Sequence, residues 1–182
     1  MKLRSLLMAL ALFLVGGATL GAEGFLSPFV GASFGGRTDD AKLTYGGAVT
    51  FKSTESILGF AIDFGYAPDF LGSTGYGNNN VTTLMGNLVL VFPGPVRFYG
   101  SGGLGLVKTR VRDVSGLFRV DSNELGINVG GGVMIFPGQA VGLQGDVRYF
   151  RNLTDPEPDA EFDVGLGGLS FWRATAGLVL KF

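Results

Sequence analysis

From Phe25 to Phe182 the apolar residues fall on every second position in eight successive runs, and this period of two constrains the fold more than any other feature. The run from Ser56 to Ala67 shows it most cleanly: Leu58, Phe60, Ile62, Phe64 and Tyr66 share one face, with Gly59, Ala61, Asp63 and Gly65 opposite. The other runs are 25–35, 42–51, 81–92, 96–110, 124–136, 140–151 and 172–182. Past the N-terminus no apolar stretch approaches the ~18 residues of a membrane-spanning helix. A composition of 46% apolar and 16% charged residues is nevertheless thin in charge for a soluble surface. If the chain lives in lipid, it crosses as strands.

The breaks between runs alternate in length. Short turns follow Phe51, Phe92 and Phe136, with Pro-Gly in the last two, whereas the breaks after runs one, three, five and seven are longer and polar. An even number of strands of about 9 to 11 residues, joined by short turns at one end and longer loops at the other, is the pattern of an outer-membrane barrel. The apolar face of each run carries almost no charge, while the opposite faces hold Lys42, Asp63, Arg97, Glu124, Asp146, Arg148, Arg173 and Lys181. A basic residue facing lipid at mid-bilayer costs roughly 2 to 4 kcal/mol, so several would outweigh a domain's net stability of about 5 to 15 kcal/mol. The charged set therefore points inward. Counted from the short turns, Asp63, Asp146, Arg148 and Arg173 stand at similar heights, which predicts a buried ion-pair cluster plugging the interior. A gated pore or proton path through the cluster is the alternative. Phe51, Phe92 and Phe182 fall near the short-turn end of the lipid face, joined by Phe136, which is out of outward phase and has the turn as its alternative place; Phe34, Tyr66, Tyr149 and Trp172 fall near the loop end, as two interfacial belts require.

The final run, WRATAGLVLKF, places Trp172, Ala174, Ala176, Leu178, Leu180 and Phe182 on one face. Its pattern of polar, x, Gly, x, x, apolar, x, aromatic is filled by Thr175, Gly177, Leu180 and Phe182, and resembles the C-terminal signal read by the outer-membrane barrel-assembly machinery. The mature chain as a whole resembles the small eight-stranded OmpA- and OmpX-type barrels. That resemblance implies an all-β, antiparallel, up-and-down transmembrane barrel, monomeric, with both termini in the periplasm. It implies outer-membrane lipid, lipopolysaccharide and the assembly machinery as partners, and a structural, adhesion-like or envelope-integrity role, with a narrow passive pore as the alternative.

Residues 1–22 read as a signal peptide ahead of a barrel over 23–182: Lys2 and Arg4 precede an apolar core from Leu6 to Val15 and the small-residue segment GGATLGA. Either Thr19 and Gly21 or Leu20 and Ala22 could supply the small positions at its cleavage point. With Lys2 and Arg4 removed, a chain of formal charge −1 becomes more acidic and offers no basic surface for nucleic acid.

Cysteine and histidine are both absent. The first excludes disulfides, thiolate metal sites and cysteine nucleophiles; the second removes the general base on which the known outer-membrane barrel enzymes rely, so the expectation is of no enzyme and no cofactor. Gly100, Gly102 and Gly105 spell G-x-G-x-x-G, but inside an alternating run with no helix to follow, so no nucleotide site is read from them. Asp155, Glu157, Asp159, Glu161 and Asp163 form an acidic break that reads as a solvated loop, with weak divalent-cation binding as the sharper alternative. The membrane reading predicts heat-modifiable gel migration, the folded sample running apart from the boiled one. One common band from a chain that dissolves without detergent would contradict it.

Overall fold

A computed structural model describes residues 22–36, 38–71, 79–112, 119–153 and 168–182. Its eight strands are β1 (Ala22–Gly35), β2 (Thr38–Ser53), β3 (Leu58–Pro68), β4 (Asn79–Val91), β5 (Val96–Arg112), β6 (Arg119–Ile135), β7 (Val141–Asn152) and β8 (Ser170–Lys181). Each pairs antiparallel with its neighbours in sequence, and β8 returns to β1 to close the barrel. The expected fold is therefore observed: an all-β, eight-stranded, up-and-down barrel. Among the described residues no helix is long and apolar enough to cross a membrane.

Alternation decides which side chain meets which medium. On β3, Ile62 and Phe64 are 48% and 47% exposed, whereas Asp63 between them is 1% exposed. The same parity holds on the other strands: Leu88, Phe98, Leu104, Val129, Leu143 and Leu178 stand on the outer wall, while Thr44, Asn87, Ser101, Asn128 and Arg173 face the lumen. The aromatic belts appear as pairs, Phe51 edge-on to Phe182 at the short-turn end (6.2 Å), Tyr45 with Tyr66 (5.5 Å) and Tyr149 with Trp172 (5.1 Å) towards the loops.

Two expectations need correction. The first break is not long: β2 begins at Thr38, which already pairs with Gly35, and positive φ at Gly35 and Gly36 (76° and 68°) lets the chain reverse tightly there. Thr38 and the two acids after it suggest loop by composition, but strand pairing overrides that preference. Phe136 does not join the outer belt. Its ring lies 6.2 Å from that of Phe25 and packs inside the short-turn mouth. The signal segment and the acidic break 155–163 lie outside the described residues.

Closure rests on the last strand. Gly24 N–H donates to Phe182 O (3.0 Å), and Phe182 N–H donates to Gly24 O (2.9 Å). The Phe182 ring lies across Gly24, where a Cβ would collide with it. Bonded pairs recur on every second row from there, which sets Pro28 opposite Leu178. Lacking an N–H, Pro28 gives nothing to the Leu178 carbonyl, and the ladder skips the pairs Ser27/Val179 and Pro28/Leu178 before resuming in the same register. The β1–β8 seam thus lacks one bond beside Pro28 and opens there more readily than an unbroken ladder. Hydrogen exchange in micelles should show the Leu178 and Val30 amides exchanging faster than those of Ile62 and Leu88, with Pro28→Ala slowing them. Equal protection of both seams would contradict this.

Candidate functional site in the barrel lumen

The most ordered chemistry lies inside the barrel. Arg148 on β7 and Arg173 on β8 are register partners with both side chains inward, an arrangement that two like charges adopt only with acids at hand. Asp63 supplies one from β3, across the lumen: Arg173 Nη2 donates to its Oδ1 and Oδ2 at 2.9 and 2.8 Å, and Arg148 Nη1 lies 3.5 Å from Oδ2. Asp146 supplies the other, accepting from Arg148 Nε at 2.9 Å. Tyr99 on β5 donates its hydroxyl to Asp146 Oδ2, and Gln144 Nε2 donates to the Tyr99 oxygen, both at 2.5 Å. All four charged residues named from the sequence thus meet in one network, each no more than 5% exposed.

Tyr99 and Gln144 are members that the sequence reading did not name as site residues. Their signal was present, since both lie in phase with the inward charges, but alternation fixes the wall a side chain leaves, not what its tip reaches. The Arg173 guanidinium also lies between two rings, 4.7 Å from Phe29 and 4.8 Å from Phe150. Above and below it stand two apolar clusters among other inward polar side chains. Phe70, Met85, Val107, Phe150 and Phe171 fill the loop-side half, and Phe25, Val89, Val91, Met134 and Val179 the short-turn half. Charge is what marks the inward faces in the sequence, yet apolar side chains share the lumen with the polar ones.

Space beside the cluster is tight. A Cβ on Gly65 would stand 2.5 Å from Arg173 Nη1 and 2.8 Å from Thr83 Oγ1. Those two atoms have no protein partner, and with Ser33, Thr44 and Phe171 their residues line a cavity of about 10 Å3, room for one water. Asn87 Oδ1, Ser101 Oγ and the Asn128 amide, on the β4–β6 wall, are likewise buried without protein partners. Both carboxylates of the cluster are taken up by guanidinium or phenol donors, so neither is a free base. Among the described residues no group of three acids is placed to hold a metal ion.

The remaining inward charges sit at the two ends. Glu124 accepts from Ser122 Oγ (2.7 Å) and from Asn152 Nδ2 on the loop side, and Lys42 is half-buried there. At the short-turn mouth, Glu23 receives Arg97, Lys181 and Lys52. Of the C-terminal motif, Thr175 faces inward opposite Asp146, Leu180 faces outward, and Gly177 backs onto Pro28, whose carbonyl oxygen would collide with a Cβ there.

Solved structures with this fold come from several bacteria. The chain is 15% identical to Neisserial surface protein A, with a TM-score of 0.66, covering 89% of this chain and 97% of that one. A major outer membrane protein from Thermus thermophilus is 14% identical with a TM-score of 0.63, covering 88% and 99%. The N-terminal β-barrel domain of Pseudomonas aeruginosa OprF is 16% identical with a TM-score of 0.57, covering 88% and 97%. No curated protein matches the chain. The profile of the outer membrane protein beta-barrel domain family matches residues 7–182, and with its closed eight-stranded barrel and apolar outer wall the chain belongs to that family.

Proposed function

We propose that this outer-membrane barrel is a closed structural and surface-interaction element, with a role in envelope integrity or adhesion rather than in transport or catalysis. The observation that carries the reading is the ion-pair strut from Asp63 to Arg173 and Arg148, spanning the lumen between two apolar layers. Charges that pair across the lumen, with packed apolar clusters on either side of them, support an interior closed to steady flow. Export by the N-terminal segment, periplasmic short turns and termini, assembly through Thr175, Gly177, Leu180 and Phe182, and contact with lipid and lipopolysaccharide as a monomer complete the proposal. In this orientation the loops between β1 and β2, β3 and β4, β5 and β6, and β7 and β8 face the cell exterior.

The fold itself is compatible with catalysis, PagL among its structural neighbours being an outer membrane enzyme. The absence of histidine and the engagement of both lumen carboxylates argue against it here. Refolded protein should show no esterase or protease turnover above the uncatalysed rate. A narrow passive pore is the second reading, favoured by the unpartnered Asn87, Ser101 and Asn128 atoms, which would suit water along the β4–β6 wall.

Planar-bilayer recordings separate the two: the closed reading predicts no steady unit conductance from the wild-type chain, and a reproducible conductance would refute it. Removing one partner leaves buried charge uncompensated, so Asp63→Ala should lower the unfolding free energy in reversible urea titrations by about 3–5 kcal/mol. The double variant Asp63→Ala/Arg173→Ala should recover part of that loss. Strict additivity would mean that the two residues do not act as a pair.

A further inference from the structure

The short-turn mouth holds a second electrostatic arrangement, and it does not balance. Four inward side chains from four strands meet there, Glu23 of β1, Lys52 of β2, Arg97 of β5 and Lys181 of β8. Three cations thus share one acid: Arg97 Nη1 lies 2.9 Å from Glu23 Oε2, Lys181 Nζ 2.7 Å from Oε1 and Lys52 Nζ 3.9 Å from Oε2. Lys52 is otherwise occupied, donating to the carbonyl oxygens of Ser53 and Ser56 at 2.6 and 2.8 Å. Arg97 and Lys181 instead line a pocket of about 470 Å3 together with Gly94, Pro95, Phe136, Gly138 and Gln139 from two of the short turns. That volume is within the range of small-molecule sites, about 300–1,000 Å3.

The Arg97 head is held in place before any ligand arrives. Its Cζ lies 5.7 Å from the Phe25 ring and 5.2 Å from the Phe136 ring, and its Nε is buried with no acceptor. A fixed guanidinium with a spare donor, beside a lysine whose side chain is 31% exposed, is a preorganised receptor for a planar or tetrahedral oxyanion. The inward-turned Phe136, which the outer belt does not use, walls the pocket and lowers the local dielectric, strengthening the pull on an anion.

We propose that this mouth binds an anionic oxygen ligand, a phosphate or carboxylate group, between Arg97 and Lys181. The inference goes beyond the closed-barrel reading and needs only the mouth, not the seal. Its test uses the full mature chain refolded in uncharged micelles, with the Arg97 Nε–H resonance followed by nitrogen NMR during titration with inorganic phosphate. Sodium chloride at matched ionic strength is the control. A saturable shift specific to phosphate is expected, weakened about tenfold in Lys181→Gln and unchanged in Lys42→Gln at the other end of the lumen. Bicelles containing phosphatidylglycerol, without added phosphate, distinguish a lipid headgroup from a free solute as the source of the anion: a shift there assigns the headgroup, its absence the solute. Shifts that follow ionic strength alone, or an affinity untouched by Lys181→Gln, would overturn the proposal. Should Lys181→Gln fail to fold, Arg97→Lys keeps the charge while removing the spare donor; with phosphate binding followed there through the backbone amides of Gly138 and Gln139, which line the same pocket, unchanged affinity would overturn the proposal equally. Conductance through the wild type would defeat the closed-barrel reading and leave this one standing.

Discussion

Backbone satisfaction in lipid comes before everything else in this molecule. A peptide group facing hydrocarbon has no water to bond, and each one left unmade costs several kcal/mol, so strands that cross lipid must pair on both sides. Only a closed ring of strands does that. Gly24 and Phe182 exchange two hydrogen bonds to complete it, and the ring of Phe182 covers the glycine that lets it lie flat against β1. Once the cylinder is closed, side-chain alternation has a fixed meaning, because successive residues face two different solvents.

From that follows the lumen. Eight strands enclose a space that side chains fill, and the outer wall refuses ionic groups at mid-bilayer height, so the charges at that height go inward while Arg110 and Arg151 stand outward only towards the loop end. Inside, an isolated charge would be prohibitive, and the chain answers with geometry: Arg148 and Arg173 side by side, Asp63 reaching from the far wall, Asp146 held by Arg148 and Tyr99. Such a network contributes little net stability over well-packed hydrocarbon. What it adds is mutual dependence among β3, β5, β7 and β8, since a register slip by one residue would turn these charges out to lipid.

Much of this was legible in the sequence because period two is a direct record of the two solvents. Strand number, both faces of each strand, the inward charges and the height of the central cluster could all be read from positions alone. What was illegible has physical reasons. The stretch after Gly35 is polar yet continues as strand, because the pairs Gly35/Thr38 and Ser33/Lys42 on either side outweigh the intrinsic preference of Asp39 and Asp40 for loop. Phe136 keeps the inward phase of Met134, so its place in the mouth follows the alternation and was obscured only by its aromatic character. Tyr99 and Gln144 lay on the correct face, but only coordinates show that a phenol from β5 reaches Asp146 on β7. The gap at Pro28 could have been seen, since proline in an inner strand always leaves a carbonyl without its donor on one side or bends the ladder.

The central claim is that outward residues touch lipid and inward ones are shielded from it, and the absence of native cysteine makes that directly measurable. Single cysteines placed from Leu58 to Tyr66, spin-labelled and reconstituted in bilayers, would report collisions with oxygen, which partitions into hydrocarbon. High oxygen accessibility is expected at 58, 60, 62, 64 and 66 and low accessibility at 59, 61, 63 and 65. Accessibility that is uniform along the strand, or that varies with a period near 3.6, would contradict it.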